Sequence, residues 1–133
     1  MAHRIICNLT VIRSSDLERA ALFYKALGLP LSRHSHGSGP MHYAFEENGH
    51  TFEIYPLGDD ALPTTSTRLG FSVASVDETL ARLLEAGGSE TMSPRESKWG
   101  RRAVVTDPDG HRVELTSTLE AKSSLRESRV LHA

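Results

Sequence analysis

The chain has 133 residues and a formal net charge of −2, with 15 Lys and Arg against 17 Asp and Glu. This length suits one domain with its own core, and the balanced charge gives no basic footprint for nucleic acid or an anionic membrane. The single cysteine, Cys7, excludes an intrachain disulfide, and no apolar run approaches the ~18 residues of a membrane span. Because the N-terminus also lacks a signal-peptide pattern, the composition predicts a small cytoplasmic domain.

The first predicted elements are a strand over residues 5–12 and a helix that opens at Ser15. Ser15 and Glu18 form a Ser-x-x-Glu capping box, in which the serine oxygen accepts a hydrogen bond from the third helical N–H. Apolar residues then recur at helical spacing until Gly28, a residue typical of a left-handed helix end. Further extended segments follow, and the half closes with a tight turn at Asn48-Gly49 and a last strand.

The second half of the chain repeats this order. A strand-like run over 68–73 precedes a second capping box at Ser75 and Glu78, and segment 109–115 repeats the pattern of segment 48–54. Each half therefore predicts strand, helix, strand, strand, strand. The result is an α+β domain of two βαβββ modules, with module one at 2–56, a linker at 57–66, module two at 67–116 and a C-terminal tail at 117–133.

Two stretches carry a family resemblance: residues 17–29, and residues 99–115 with their Asp-Pro-Asp-Gly-His turn. They resemble the vicinal oxygen chelate superfamily, which includes glyoxalases, bleomycin resistance proteins and extradiol dioxygenases. The resemblance implies a curled mixed sheet around a cavity and, commonly, a homodimer. In the metal-using members, it also implies a divalent ion held by the first and last strands of each module.

Four positions of this chain correspond to that implied ligand set: Asn8 and Arg68 on the first strands, and Glu53 and Glu114 on the last. The two carboxylates keep the pattern, and both first-strand residues depart from it. Asn8 offers only an amide oxygen, and Arg68 has no lone pair to give because its guanidinium stays protonated. We expect Arg68 to replace the ion as a fixed cation between Glu53 and Glu114, where it would relieve the repulsion of two carboxylates.

Other side chains are candidates for contact with a ligand. Trp99 lies on a loop that the resemblance places at the cavity mouth, where it would stack on a flat ligand or instead close the edge of the core. Arg101 and Arg102 alternate in direction, so that one of them can meet an anionic group, and Arg101 is counted in the predicted site. His42 and Tyr55 complete the predicted ligand-binding set.

The favoured function is binding of a small organic ligand by a homodimer, with no metal or other cofactor and no nucleic-acid or membrane partner. The alternative is a divalent-metal-dependent lyase or dioxygenase in which Glu53 and Glu114 are ligands. His34, His36 and His42 could then complete the metal's coordination shell. A metal-free enzyme, with one of these glutamates as general base and Arg68 beside an oxyanion, also fits the residues.

Overall fold

The computed structural model describes residues 4–117, which form two modules with the same order of elements. Module one consists of β1 (Leu9–Ser14), α1 (Leu17–Leu27), β2 (Ser32–His34), β3 (His42–Glu47) and β4 (His50–Pro56). Module two consists of β5 (Arg68–Ser72), α2 (Val76–Glu85), β6 (Ser89–Ser97), β7 (Gly100–Thr106) and β8 (Arg112–Ser117). The predicted tail lies outside the described residues except for Ser117, which ends β8.

Each module folds into a four-stranded mixed sheet, with strand orders β1-β4-β3-β2 and β5-β8-β7-β6. The first and last strands of each module pair in parallel, and the remaining pairs are antiparallel. This topology confirms the predicted α+β fold of two βαβββ modules. Within residues 4–117, neither helix is long and apolar enough to cross a membrane.

The start of module one differs from the prediction at two places. The strand begins at Leu9 rather than at residue 5, because its parallel ladder with β4 starts where Leu9 meets Thr51. The N-cap of α1 is Asp16 rather than Ser15, and its carboxylate accepts a hydrogen bond from a backbone N–H in the first turn of the helix. Ser15 is instead held by the carboxylate of Asp109, through both its backbone N–H and its hydroxyl.

Two other helix boundaries follow the sequence. Ser75 caps α2, and its side chain accepts a hydrogen bond from the backbone N–H of Glu78. Gly28 ends α1 with a φ of +119°, and its N–H donates back to the last helical turn. This left-handed backbone is one that glycine adopts without steric cost. Both boundaries confirm the predicted start of α2 and the predicted end of α1.

One hydrophobic core is shared by the two modules. Residues from both helices and both sheets form a single buried cluster. The rings of Phe52 on β4 and Phe71 on β5 meet edge to face, with centroids 6.2 Å apart. The guanidinium of Arg82 on α2 donates to the carbonyl of Ala26 on α1. The modules therefore pack through the sides of their sheets that carry the helices.

The Asp-Pro-Asp-Gly-His turn between β7 and β8 is organised around the buried carboxylate of Asp107. One of its oxygens accepts hydrogen bonds from the backbone N–H groups of Asp109, Gly110 and His111. The other accepts from the hydroxyl of Tyr24 on α1 at 2.6 Å and from Nδ1 of His111 at 2.9 Å. Burial by itself would raise the pKa of Asp107, but the hydrogen bonds from His111 and Tyr24 outweigh it and hold that pKa below its usual range.

The same network continues across the module boundary. Nε2 of His111 lies 2.7 Å from the hydroxyl of Thr64 in the linker, and that hydroxyl accepts from the backbone N–H of Arg13 on β1. The hydroxyl of Ser14 donates to Asp109 at 2.5 Å. A continuous set of hydrogen bonds thus fixes the first strand of module one, the linker and the last turn of module two relative to one another.

We expect Asp107→Asn to lower the free energy of unfolding by about 2 kcal/mol or more, because it weakens acceptance from Tyr24 and His111 in a buried site. The depressed pKa means that the parent's advantage is complete above the unfolded pKa near ~3.9 and declines as the pH falls through the folded pKa. Urea unfolding should therefore show a gap in unfolding free energy between the parent and the variant that is wider at pH 7 than at pH 3. The exposed Asp59→Asn is the matched control, and an equal loss in the two variants would contradict the role of this carboxylate.

Candidate functional site

The face of each sheet opposite the helices, called the open face below, carries the candidate site. Because side chains alternate along a strand and Ile12 and Ile54 point into the core, Glu53 lies on the open face of module one. Leu9 and Val11 share this face and are 52% and 37% exposed. The open face of module one therefore presents apolar as well as charged side chains.

On the open face of module one, three predicted site residues come together: His42, Glu53 and Tyr55. The buried ring of His42 stacks on Tyr55 with centroids 4.3 Å apart and an angle of 5° between planes. Its Nδ1 lies 3.2 Å from the carbonyl of Pro40, which can only accept, so Nδ1 carries a proton. This hydrogen bond turns Nε2 toward the carboxylate of Glu53, 3.5 Å away.

Two further histidines extend this cluster. The ring centroids of His34, His36 and His42 lie 5.5 to 6.0 Å from one another. With Glu46 and Glu53, they line a cavity of about 290 Å³. Residues 4–117 contain no group of three or more His, Cys, Asp or Glu side chains arranged to hold a metal ion. The three imidazoles line a cavity without converging on one coordination point.

On the open face of module two, Glu114 lies between two arginines. Arg102 makes the closer contact through Nε, and a guanidinium nitrogen of Arg68 lies 4.0 Å from the other carboxylate oxygen. The hydrogen bond from Arg102 lowers the pKa of Glu114, burial opposes it, and the charges of Arg102 and Arg68 lower it further. Two positive charges share one negative charge, so the cluster carries an excess positive charge.

The register of the parallel strands corrects one predicted equivalence. Leu9 pairs with the residue two positions before Glu53, and Arg68 pairs with the residue two positions before Glu114. Leu9, and not Asn8, is therefore the counterpart of Arg68. Asn8 precedes β1 and is exposed. The error of one residue arose because the repeat was aligned on the predicted cap at Ser15, whereas the N-cap of α1 is the next residue, Asp16.

The predicted position of Arg68 also needs correction. Its ion pair is with Glu114, while Glu53 pairs with His42, so the two carboxylates belong to separate clusters. The physical reason is the packing of the modules through their helix-bearing sides, which leaves each open face to its own neighbours.

Arg101 was predicted to contact a ligand, but in the structure it binds side chains of its own module. It points toward α2, where it donates two hydrogen bonds to Asp77 at 2.6 and 3.0 Å and one to Glu96 at 3.3 Å. Arg102 is the arginine on the open face, and the prediction did not count it. The signal was present in the sequence: Ala103 faces the core, so its neighbour Arg102 must share the face of Glu114.

Trp99 lies at the turn between β6 and β7, and it is 65% exposed. The ammonium of Lys98 lies 4.6 Å from the centroid of its ring. The interpretation that Trp99 closes the edge of the core is therefore wrong. Its stacking on a ligand at the mouth of a site stays a prediction.

The fold and these motifs agree with known proteins. The sequence profile of the Glyoxalase/Bleomycin resistance protein/Dioxygenase superfamily matches residues 6–115. The chain belongs to this superfamily. It is 30% identical to a lactoylglutathione lyase from Escherichia coli O157:H7, over 87% of this chain and 95% of that protein.

Solved structures of the superfamily resemble the chain as well. TnmS3, an antibiotic binding protein from Streptomyces sp. CB03234, is 26% identical with a TM-score of 0.68, over 89% of this chain and 99% of that one. A glyoxalase-related enzyme from Fulvimarina pelagi shares the fold at 22% identity and a TM-score of 0.68, over 85% and 88% of the two chains. Binding proteins and enzymes thus share this architecture, and the site must decide between them.

Proposed function

We propose that this chain binds a small organic ligand on its open sheet faces and does so without a metal ion. The observation that carries the proposal is the pair of Arg68 and Glu114. A metal site of the superfamily type requires a lone-pair donor on each first strand. This chain has a guanidinium at one of those positions and the alkyl side chain of Leu9 at the other.

The residues present do not fit a divalent ion beside Glu114. A guanidinium a few ångströms from such an ion would cost on the order of several kcal/mol even at an effective dielectric near 20. The carboxylate that would offset this cost is already hydrogen-bonded to Arg102. The remaining carboxylate, Glu53, lies in the separate cluster of His42 and Tyr55, away from Glu114.

The same side chains suit an organic ligand. Leu9 and Val11 offer exposed apolar surface, and Arg68, Arg102 and Glu114 offer fixed polar groups. A few placed polar groups on a largely apolar surface are typical of small-molecule sites. The similarity to an antibiotic binding protein supports binding without chemistry as the function.

A divalent-metal-dependent lyase is the second candidate. The similarity to a lactoylglutathione lyase favours it, and so does the presence of a carboxylate on the last strand of each module. In that case Glu53 and Glu114 would supply oxygen ligands, and Arg68 would have to move away from Glu114.

We also propose that two copies of the chain cover each other's open faces. Leu9 and Val11 expose apolar surface on module one, where Glu53 adds negative charge. The open face of module two carries Arg68 and Arg102. A two-fold dimer that placed module one of one copy against module two of the other would match apolar surface and charge at two equivalent sites.

Calorimetric titration with Ni²⁺, Zn²⁺ and Mn²⁺ tests metal independence. We expect negligible binding by the parent. Arg68→His should bind measurably and the double variant Leu9→His, Arg68→His more tightly, because imidazoles replace a cation and an alkyl group. Stoichiometric, chelator-sensitive binding by the parent that is lost in Glu114→Ala would favour the lyase.

Light scattering after size exclusion tests the dimer. The parent should elute with twice the 14.6 kDa mass of the chain at micromolar concentration. Val11→Asp places a charge on the proposed interface and should shift the protein toward the monomer. Leu62→Asp, on the exposed linker, should leave the dimer intact. A monomeric parent would contradict the proposed assembly.

A further inference from the structure

A second cavity, of about 390 Å³, lies between β5 and the helix-bearing side of the first sheet. Its walls include Phe45, Phe52 and Phe71, whose neighbouring ring centroids are 6.1 and 6.2 Å apart. Arg68 and Gly70 line it from β5. We call this cavity the aromatic cleft. Its volume falls in the ~300–1,000 Å³ range of small-molecule pockets.

The polar groups on the module-one wall of the cleft are satisfied within the protein. Nδ1 of His50 donates to the carbonyl of Cys7 at 2.7 Å, and Nε2 bonds the hydroxyl of Thr10 at 2.9 Å. Both ring nitrogens are therefore engaged by neighbours in the fold. The ring of His50 is therefore held in place by the fold, and a charged group of a ligand would have to bind to another side chain.

Arg68 supplies that charge. Its side chain is 56% exposed, and its ion pair with Glu114 is long at 4.0 Å. Glu114 also binds Arg102 at closer range, so one carboxylate faces two guanidiniums. A planar guanidinium with donors to spare binds carboxylate, sulfonate or phosphate oxygens, often in pairs.

We propose that the aromatic cleft binds the aromatic body of an organic anion, with its anionic group held by Arg68. This inference rests on the metal independence in the proposed function and extends its site, because the cleft lies on the helix-bearing side of the first sheet and shares Arg68 with the open face of module two. Phenylalanine rings favour edge-to-face and offset contacts with another aromatic ring. The excess positive charge of the arginine pair complements an anion and disfavours a cationic ligand of the same shape.

Gly70 offers a way to close the cleft without disturbing the fold. A Cβ built at this position meets no heavy atom within 4 Å, and the backbone has no positive φ that would strain a larger residue. Because residues 68 and 70 share one face of β5, a leucine at position 70 would extend on the Arg68 side of the cleft rim and should compete there with a bound ligand for space.

A pair of fluorescent probes tests the proposal: anilinonaphthalene sulfonate, and phenylnaphthylamine, which has the same rings without the sulfonate. The parent should bind the sulfonate more tightly, and added salt should reduce this preference. Arg68→Gln should weaken sulfonate binding about tenfold and change binding of the neutral probe by less than about twofold.

The matched control is Arg112→Gln, which removes the same charge from the cross-strand partner of Arg68 outside the cleft. It should change neither affinity by more than about twofold. Gly70→Leu should weaken both probes about tenfold, because it removes volume rather than charge. Circular dichroism checks that each variant is folded, and Phe45→Leu provides a second variant of the wall.

Three results would overturn the proposal. They are failure of both probes to bind the parent, equal effects of Arg68→Gln and Arg112→Gln on the sulfonate, and folded Gly70→Leu and Phe45→Leu variants that bind like the parent. The metal titration separates this failure from failure of the proposed function. Tight metal binding by the parent would refute metal independence whatever the probes do.

Discussion

The carboxylate of Asp107 is the group on which the arrangement of the two modules depends. It accepts three backbone hydrogen bonds inside its own turn, and it also accepts the hydroxyl of Tyr24 from the helix of the other module. Through His111, the network reaches the hydroxyl of Thr64 and then the first strand. Burying an ionised carboxylate is unfavourable unless its oxygens accept hydrogen bonds. Each of these donors must therefore be in place in the folded chain.

This junction faces the helices and the core, and it leaves the opposite side of each sheet uncovered. The two open faces differ in charge: one carries Glu53 beside His42, and the other carries Glu114 between Arg68 and Arg102. The superfamily includes enzymes that use a metal ion at this position. In this chain, the first strand of module two carries the cation Arg68 where a metal ligand would be needed. We propose that this substitution suits the site to recognition of an organic anion.

The sequence predicted those features that depend on local chemistry. The cap at Ser75 and the two-module repeat followed from residues that act on their own neighbours. The matching of the two first strands was harder to predict. The cap of α1 is Asp16 rather than Ser15, and Leu9 rather than Asn8 is therefore the counterpart of Arg68. The directions of Arg101 and Arg102 could have been predicted by alternation, because the next residue, Ala103, belongs to the core. The separation of the two glutamates depends on how the modules pack, which no local pattern contains.

The most direct test of the central claim is anomalous diffraction from crystals grown with Mn²⁺. We expect the guanidinium of Arg68 beside the carboxylate of Glu114 and no anomalous peak within about 3 Å of that carboxylate, a distance that covers metal–oxygen bonds. A peak coordinated by Glu114, with Arg68 turned away, would contradict the claim that an arginine has replaced the ion and would identify the chain as a metalloprotein.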